Sequence, residues 1–424
     1  MTWGDPNAQV AQPGTEEDLR ARLAKYQKLS LVIGLIALGI AIVAAAANAD
    51  LREPFYRAWL FAFLFWMGLA LGSGGIAMIH NLTGGRWGQA ARRVLQAANG
   101  NVPLMAVLSI PLVIAIHTQH MYGWAGFGPD PHLGAHKAVW LTPSAVTIRG
   151  VVYLVVWIAT CIMIRIGAAR VEATRSFAVA STFAGLSAFG LIFYVLTLTG
   201  AIVDWVMSIT PEWYSTMFTL IFLIGQVLSA FCFATLVTAL LIRFKPAAGK
   251  VSKDQFNDLA SFMFAFTVLW AYMSFSQLII TYMGNLRSEM AWYVHRNNTG
   301  WLPVGLGLML LQFLGPFLLL MNKPLKRNPR LLVWVAFWIL LMRFVDLLYL
   351  TKPAFAAPQL TFMDALTPFA IGGLFLWGFF GRLKAGKLDP PPLVDEYSAI
   401  EVGAHEFGVT EYGAAITGRK GPVP

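Results

Sequence analysis

Charge is scarce in this chain: 12% of its 424 residues are Asp, Glu, Lys or Arg, against 57% that are hydrophobic. That balance excludes an ordinary water-soluble domain. Cysteine is scarcer still. The only two, Cys161 and Cys232, both lie in apolar runs, which excludes a disulfide framework, a Cys-x-x-Cys-His haem attachment and an iron–sulfur cluster held by this chain. The pattern of a cleavable signal peptide is also missing, because the first apolar run starts near Leu29 behind a charged segment and no small-residue cleavage site follows it.

What the chain has in quantity is apolar length. Mean hydropathy is +0.63, and ten runs of spanning length are expected at roughly 29–48, 57–80, 93–117, 145–168, 177–203, 214–243, 258–284, 301–322, 331–351 and 362–383. The expected fold is an all-α integral membrane protein. Its organisation is a cytoplasmic segment 1–28, a ten-span domain 29–383 and a Pro/Gly-rich cytoplasmic tail 384–424. Arginine and lysine cluster at alternate ends of the runs, as in Arg86, Arg92 and Arg93, then Arg165, Arg170 and Arg175, then Lys326, Arg327 and Arg330. By the positive-inside rule both termini are cytoplasmic, in a bacterial inner membrane. The net charge of +10 follows from that asymmetry, so it suits anionic lipid and does not indicate nucleic acid.

Smaller patterns add detail. Thr15 and Asp18 make a capping box, and Leu19, Leu23 and Tyr26 share one face of a short surface helix. Gly68, Gly72, Gly74 and Gly75 in the second run permit close helix packing, and Pro103 and Pro111 should bend the third. Phe61, Phe65, Gly68 and Leu71 align at one constant offset with Phe218, Phe222, Gly225 and Leu228. A parallel internal repeat would make spans 2–5 and 6–9 two similar four-helix bundles, with spans 1 and 10 outside them.

The ninth run carries Arg343 and Asp346, three residues apart and on one helix face. Charge inside hydrocarbon costs roughly 2.5–3.5 kcal/mol on the lenient scale, so the pair must face the bundle interior. Counting from Leu331, Arg343 lies about 18 Å and Asp346 about 22 Å along the helix, in the outer half of the membrane. On span 7, Trp270, Ser274, Gln277 and Thr281 form a polar stripe at similar depth, with Tyr282 beyond it. These residues are candidates for an outer proton path. The alternative is that they are polar glue between helices.

The histidines suggest cofactors less well. His80 ends span 2 while His117 and His120 end span 3 on the other side, so no imidazole pair at one depth is available for haem. His117, His120, His132 and His136 read as solvated loop residues in preference to a metal site. A quinone headgroup held by His117, His120 and Asp204 is a second reading of the outer side. A secondary transporter, with parallel repeats and midplane polar groups, is a third.

Several motifs together resemble a known family: His80-Asn-Leu-Thr-Gly-Gly-Arg-Trp87, Met121-Tyr-Gly-Trp124, Asp204-Trp-Val-Met-Ser-Ile-Thr-Pro-Glu-Trp-Tyr214, Trp270-Ala-Tyr-Met-Ser-Phe-Ser-Gln277, Trp292-Tyr-Val-His-Arg296 and Met342-Arg-Phe-Val-Asp346. Over about residues 55–385 the chain resembles the ActF subunit of alternative complex III, a quinol:electron-acceptor oxidoreductase of the respiratory chain, and more distantly the NrfD/polysulfide-reductase membrane subunits. The resemblance implies a ten-span protein without a redox centre of its own. Its expected partners are an ActC-like quinol-binding membrane subunit, multihaem cytochrome c and iron–sulfur subunits. No covalently bound cofactor is implied, only menaquinone or another quinone, or lipid, as neighbours. Asp204, His295, Arg296, Arg343 and Asp346 match the family's polar motifs. Gly123 stands where the family commonly has an acid, and the tail around Pro390 to Pro392 departs from its acidic ending.

Overall fold

The computed structural model describes residues 14–118, 121–125, 135–244, 247–355 and 359–388. Among them are ten helices long and apolar enough to cross a membrane: Glu16–Ala47, Ala49–Thr83, Arg92–His117, Pro143–Thr174, Phe177–Ile209, Thr216–Leu241, Lys253–Gly284, Leu302–Leu320, Pro329–Ala354 and Phe362–Ala385, called here spans 1 to 10. The fold is all-α, with no strand among the described residues. In hydrocarbon a helix satisfies its own backbone, which is why these apolar runs take no other form.

Spans 2, 3, 4 and 5 pack in a closed ring, each on the next and the fifth back on the second. Spans 6, 7, 8 and 9 close a second ring in the same order. The expected two four-helix bundles are therefore present, joined chiefly along spans 2 and 6. Spans 1 and 10 pair with each other and lie against spans 2 and 3. Of the most apolar stretch of each helix, 94% is buried in span 2 and 78% in span 6, against 22% in span 7 and 17% in span 8. Spans 2 and 6 are thus the axis of the molecule. Their approach depends on Gly72, where a Cβ would collide with the backbone carbonyl oxygen of Gln226.

Three spans depart from a plain helix. Span 3 breaks into Arg92–Asn99, Val102–Val107 and Ile110–His117, with Pro103 and Pro111 at the starts of the two later pieces, where a missing N–H costs least. The first break turns Asn101 toward span 10, to whose Phe375 carbonyl its Nδ2 donates at 3.1 Å. Span 8 contains a π-helical turn, Met309–Leu314, just before Gly315-Pro316; proline cannot donate to the preceding ladder, and a widened turn is one way to absorb that. Span 1 is longer than expected. The capping box of Thr15 and Asp18 is present, yet the residues expected as a separate surface helix are the first turns of one continuous helix, because neither proline nor glycine interrupts Glu16 to Ile33. Of the tail 384–424, only the first five residues fall among those described.

With ten crossings, the start of span 1 and the end of span 10 share a face, and they touch: Arg20 donates to the Lys384 carbonyl, and Lys384 Nζ to Gln27 Oε1 at 2.8 Å. The arginine-rich connections join them there, so one face of the protein is basic and the opposite face is poor in basic residues.

Candidate functional site

The second bundle encloses the Arg343–Asp346 pair. Both residues sit on span 9, 1% and 2% exposed, and the guanidinium and carboxylate are in direct contact. Asp346 lies about 8 Å inside the end of its helix on the opposite face. Span 7 supplies the Trp270 indole, which donates to Asp346 Oδ2 at 3.2 Å. Span 8 supplies Gln312, fully buried in the π-helical turn; with its amide turned so that both ends are satisfied, it donates to the Met342 carbonyl at 3.0 Å and accepts from Arg343 at 3.3 Å. Span 6 supplies the space: a Cβ at Gly225 would overlap the Arg343 guanidinium. Each helix of the ring therefore contributes one element of the cluster.

From Trp270 the stripe on span 7 leads away toward the opposite face. Gln277 and Thr281 are buried, Ser274 is half-buried, and Tyr282 is 68% exposed and turned outward. Successive groups are about 4.5–6 Å apart along the axis, so a proton could pass along them only with bridging water. Gln277 Oε1 and Arg343 Nε are buried without a hydrogen-bond partner among the described residues. Unsatisfied buried groups are costly and mark where water or an exchanging partner belongs.

A short helix, Arg287–Asn298, crosses the end of this bundle away from the basic face. Arg296, 1% exposed, donates to the carbonyls of Leu350 (3.0 Å), Trp292 (3.1 Å) and Tyr349 (3.4 Å). It thus caps span 9, where cations are favoured. Its guanidinium lies 3.2 Å from the centre of the Trp292 ring, which in turn stacks on Trp213. Burial pushes the Arg296 pKa down to about 9, still well above neutrality, and Tyr293 is pushed up by the same burial. His295, its neighbour in the motif, makes no side-chain contact of this kind; its carbonyl accepts from Thr299.

The first bundle holds a second buried acid. Asp204, 0% exposed at the end of span 5, accepts from Arg149 Nε (2.8 Å), Arg149 Nη2 (2.9 Å), Tyr153 Oη (2.9 Å) and Trp140 Nε1 (3.1 Å). Four donors use the acceptor capacity of the carboxylate. The loop of Tyr122 and Trp124 is tied to the same place through the Trp205 and Ser208 carbonyls, each at 2.8 Å; burial, then the Asp204 charge, pushes the Tyr122 phenol up. His117 is not part of this group. It meets Thr147 Oγ1 at 3.1 Å, and Thr147 and Arg149 point about 200° apart around their helix. His120 lies outside the described residues.

Two features had no place in the sequence reading. Gln312 is one, although a lone amide in an apolar run was a usable signal. The other is a buried ion pair between spans 9 and 10, in which Lys352 Nζ lies 2.8 Å from both oxygens of Asp364. Among the described residues, no group of three or more His, Cys, Asp or Glu is placed to hold a metal ion.

Fold and site together define a multi-pass helical membrane protein with a buried acid paired to an arginine in each of two similar bundles. No family model matches the chain, and no curated protein matches it.

Proposed function

We propose that this chain is a non-haem integral subunit of a respiratory quinol:cytochrome c or electron-acceptor oxidoreductase of the alternative complex III type, contributing packing and an outer-side proton path. The observation that carries the reading is Asp346, an acid inside the membrane domain, paired with Arg343 and continued outward by Trp270, Gln277 and Thr281. Intramembrane ionisable groups mark ion and proton routes. An acid whose charge is balanced by a neighbouring arginine can take up and release a proton as that contact loosens. The ordered motifs on which the family resemblance rests include both buried acids, Arg296 and Arg343.

In this reading the basic face is cytoplasmic, both termini lie inside, and the protein resides in a bacterial inner membrane. An ActC-like subunit holds the quinol, and multihaem cytochrome c and iron–sulfur subunits dock outside. A headgroup at Asp204 would have to displace one of four hydrogen bonds, so quinol is assigned to the partner. Affinity purification of the full chain from its own membranes is the test. Recovery of c-type haem absorbance and quinol-oxidising activity in proportion to the chain is expected. A chain that purifies alone and catalyses solute exchange in vesicles would favour a transporter.

A further inference from the structure

The first bundle has a feature on the basic face that the proton path does not use. A cavity of about 320 Å³ opens where spans 2 and 4 end and span 5 begins. Helix ends mark the depth at which hydrocarbon gives way to headgroups, so the cavity lies in the interfacial zone. One wall is polar, with Asn81, Gln89 and Arg92, and the other is apolar, with Phe177, Ala180 and Ala184. Arg92 is only 9% exposed, and His80 behind it 7%, its ring fixed by the Gly85 carbonyl at 3.0 Å and the edge of Trp87. This is a built recess, not a patch of surface arginines.

Charge and shape both select the occupant. Arg86 and Arg175 lie on the connections beside the recess and Arg170 on the last turns of span 4, while Glu172 is engaged by Arg93 at 2.6 Å and by Lys387. An anion is therefore favoured. Ala180 and Ala184, one turn apart, leave a shallow trough that runs on along the same face of span 5 past Ala188 to the partly exposed Leu191 and Val195. A soluble anion would have no use for that trough.

We propose that this recess seats the headgroup of an anionic phospholipid, with Arg92 beside its phosphate and an acyl chain laid along Ala180 and Ala184. The test is native mass spectrometry of the full-length protein, titrated in detergent with phosphatidylglycerol, phosphatidylcholine or inorganic phosphate. Tighter retention of phosphatidylglycerol is expected. Arg92→Gln should weaken it about five-fold, the equivalent of roughly 1 kcal/mol for one basic residue at a membrane surface. Ala184→Trp fills the trough without altering charge and should weaken phosphatidylglycerol at least as much, which keeps the test decisive if Arg92→Gln fails to fold. Equal retention of both lipids would overturn the proposal. So would unchanged binding in Ala184→Trp, or inorganic phosphate binding as tightly as the lipid, which would make the recess a simple anion site.

Discussion

At the scale of single residues, the two buried acids differ in how they are held. Asp204 meets four donors on three side chains, whereas Trp270 and Arg343 both converge on one oxygen of Asp346. The first arrangement is a structural lock. Asp204→Ala should leave the Tyr153 hydroxyl without its partner while Arg149, 20% exposed, turns to water, a loss of about 1–3 kcal/mol; denaturant unfolding in micelles checks it. Gly225→Ala tests the second cluster by overpacking, since the added methyl would collide with the Arg343 guanidinium. A loss of about 1–3 kcal/mol is expected, with Gly307→Ala, which meets open space, as a control expected to change little. Arg343 and Asp346 were legible in the sequence because charge inside an apolar run has few explanations. Gln312 and Gly225 were not, because their roles depend on which helix faces them.

Among the elements, several of the polar ties between helices sit at helix ends, such as Arg296 against span 9 and Lys384 against span 1. The prolines of span 3 were a readable signal, and the helix breaks beside each of them. The π-helical turn of span 8 was not readable, since Gly315-Pro316 announces a disturbance without its form. Arg296 makes the clearest element-scale prediction. Arg296→Met should free the last carbonyls of span 9 and lower the unfolding midpoint, with the two bundles' helical content retained by circular dichroism. Its pKa of about 9 lies below that of an arginine in an unfolded chain. Below pH 8 the group is protonated in both states, so the stability gap between wild type and Arg296→Met should be flat from pH 6 to 8.

Over the whole molecule, the two rings share one order of packing and carry their buried acids on equivalent helices, spans 5 and 9. The bundle arrangement was foreseeable because a few matched positions in spans 2 and 6 reflect a repeated packing problem at the molecular axis. The continuity of span 1 and the Lys352–Asp364 tie to span 10 were not, because a capping box does not say how far its helix runs, and a lysine beside an apolar run looks like loop. Orientation is the matching prediction. Single cysteines introduced at Lys250 and at Arg287 should react with an impermeant maleimide from opposite sides of sealed vesicles, Lys250 from the cytoplasmic side.

The account stands on Asp346 as a proton-exchanging acid within an assembled quinol-oxidising complex. Its most direct test is the ratio of protons moved to electrons transferred by the complex reconstituted in vesicles, compared between wild type and Asp346→Asn. The amide keeps an acceptor for Trp270 and Arg343, so the variant complex should assemble and oxidise quinol while moving fewer protons per electron. An unchanged ratio in the assembled variant, or failure of the variant to assemble, would contradict the account and leave the pair as a structural ion bridge.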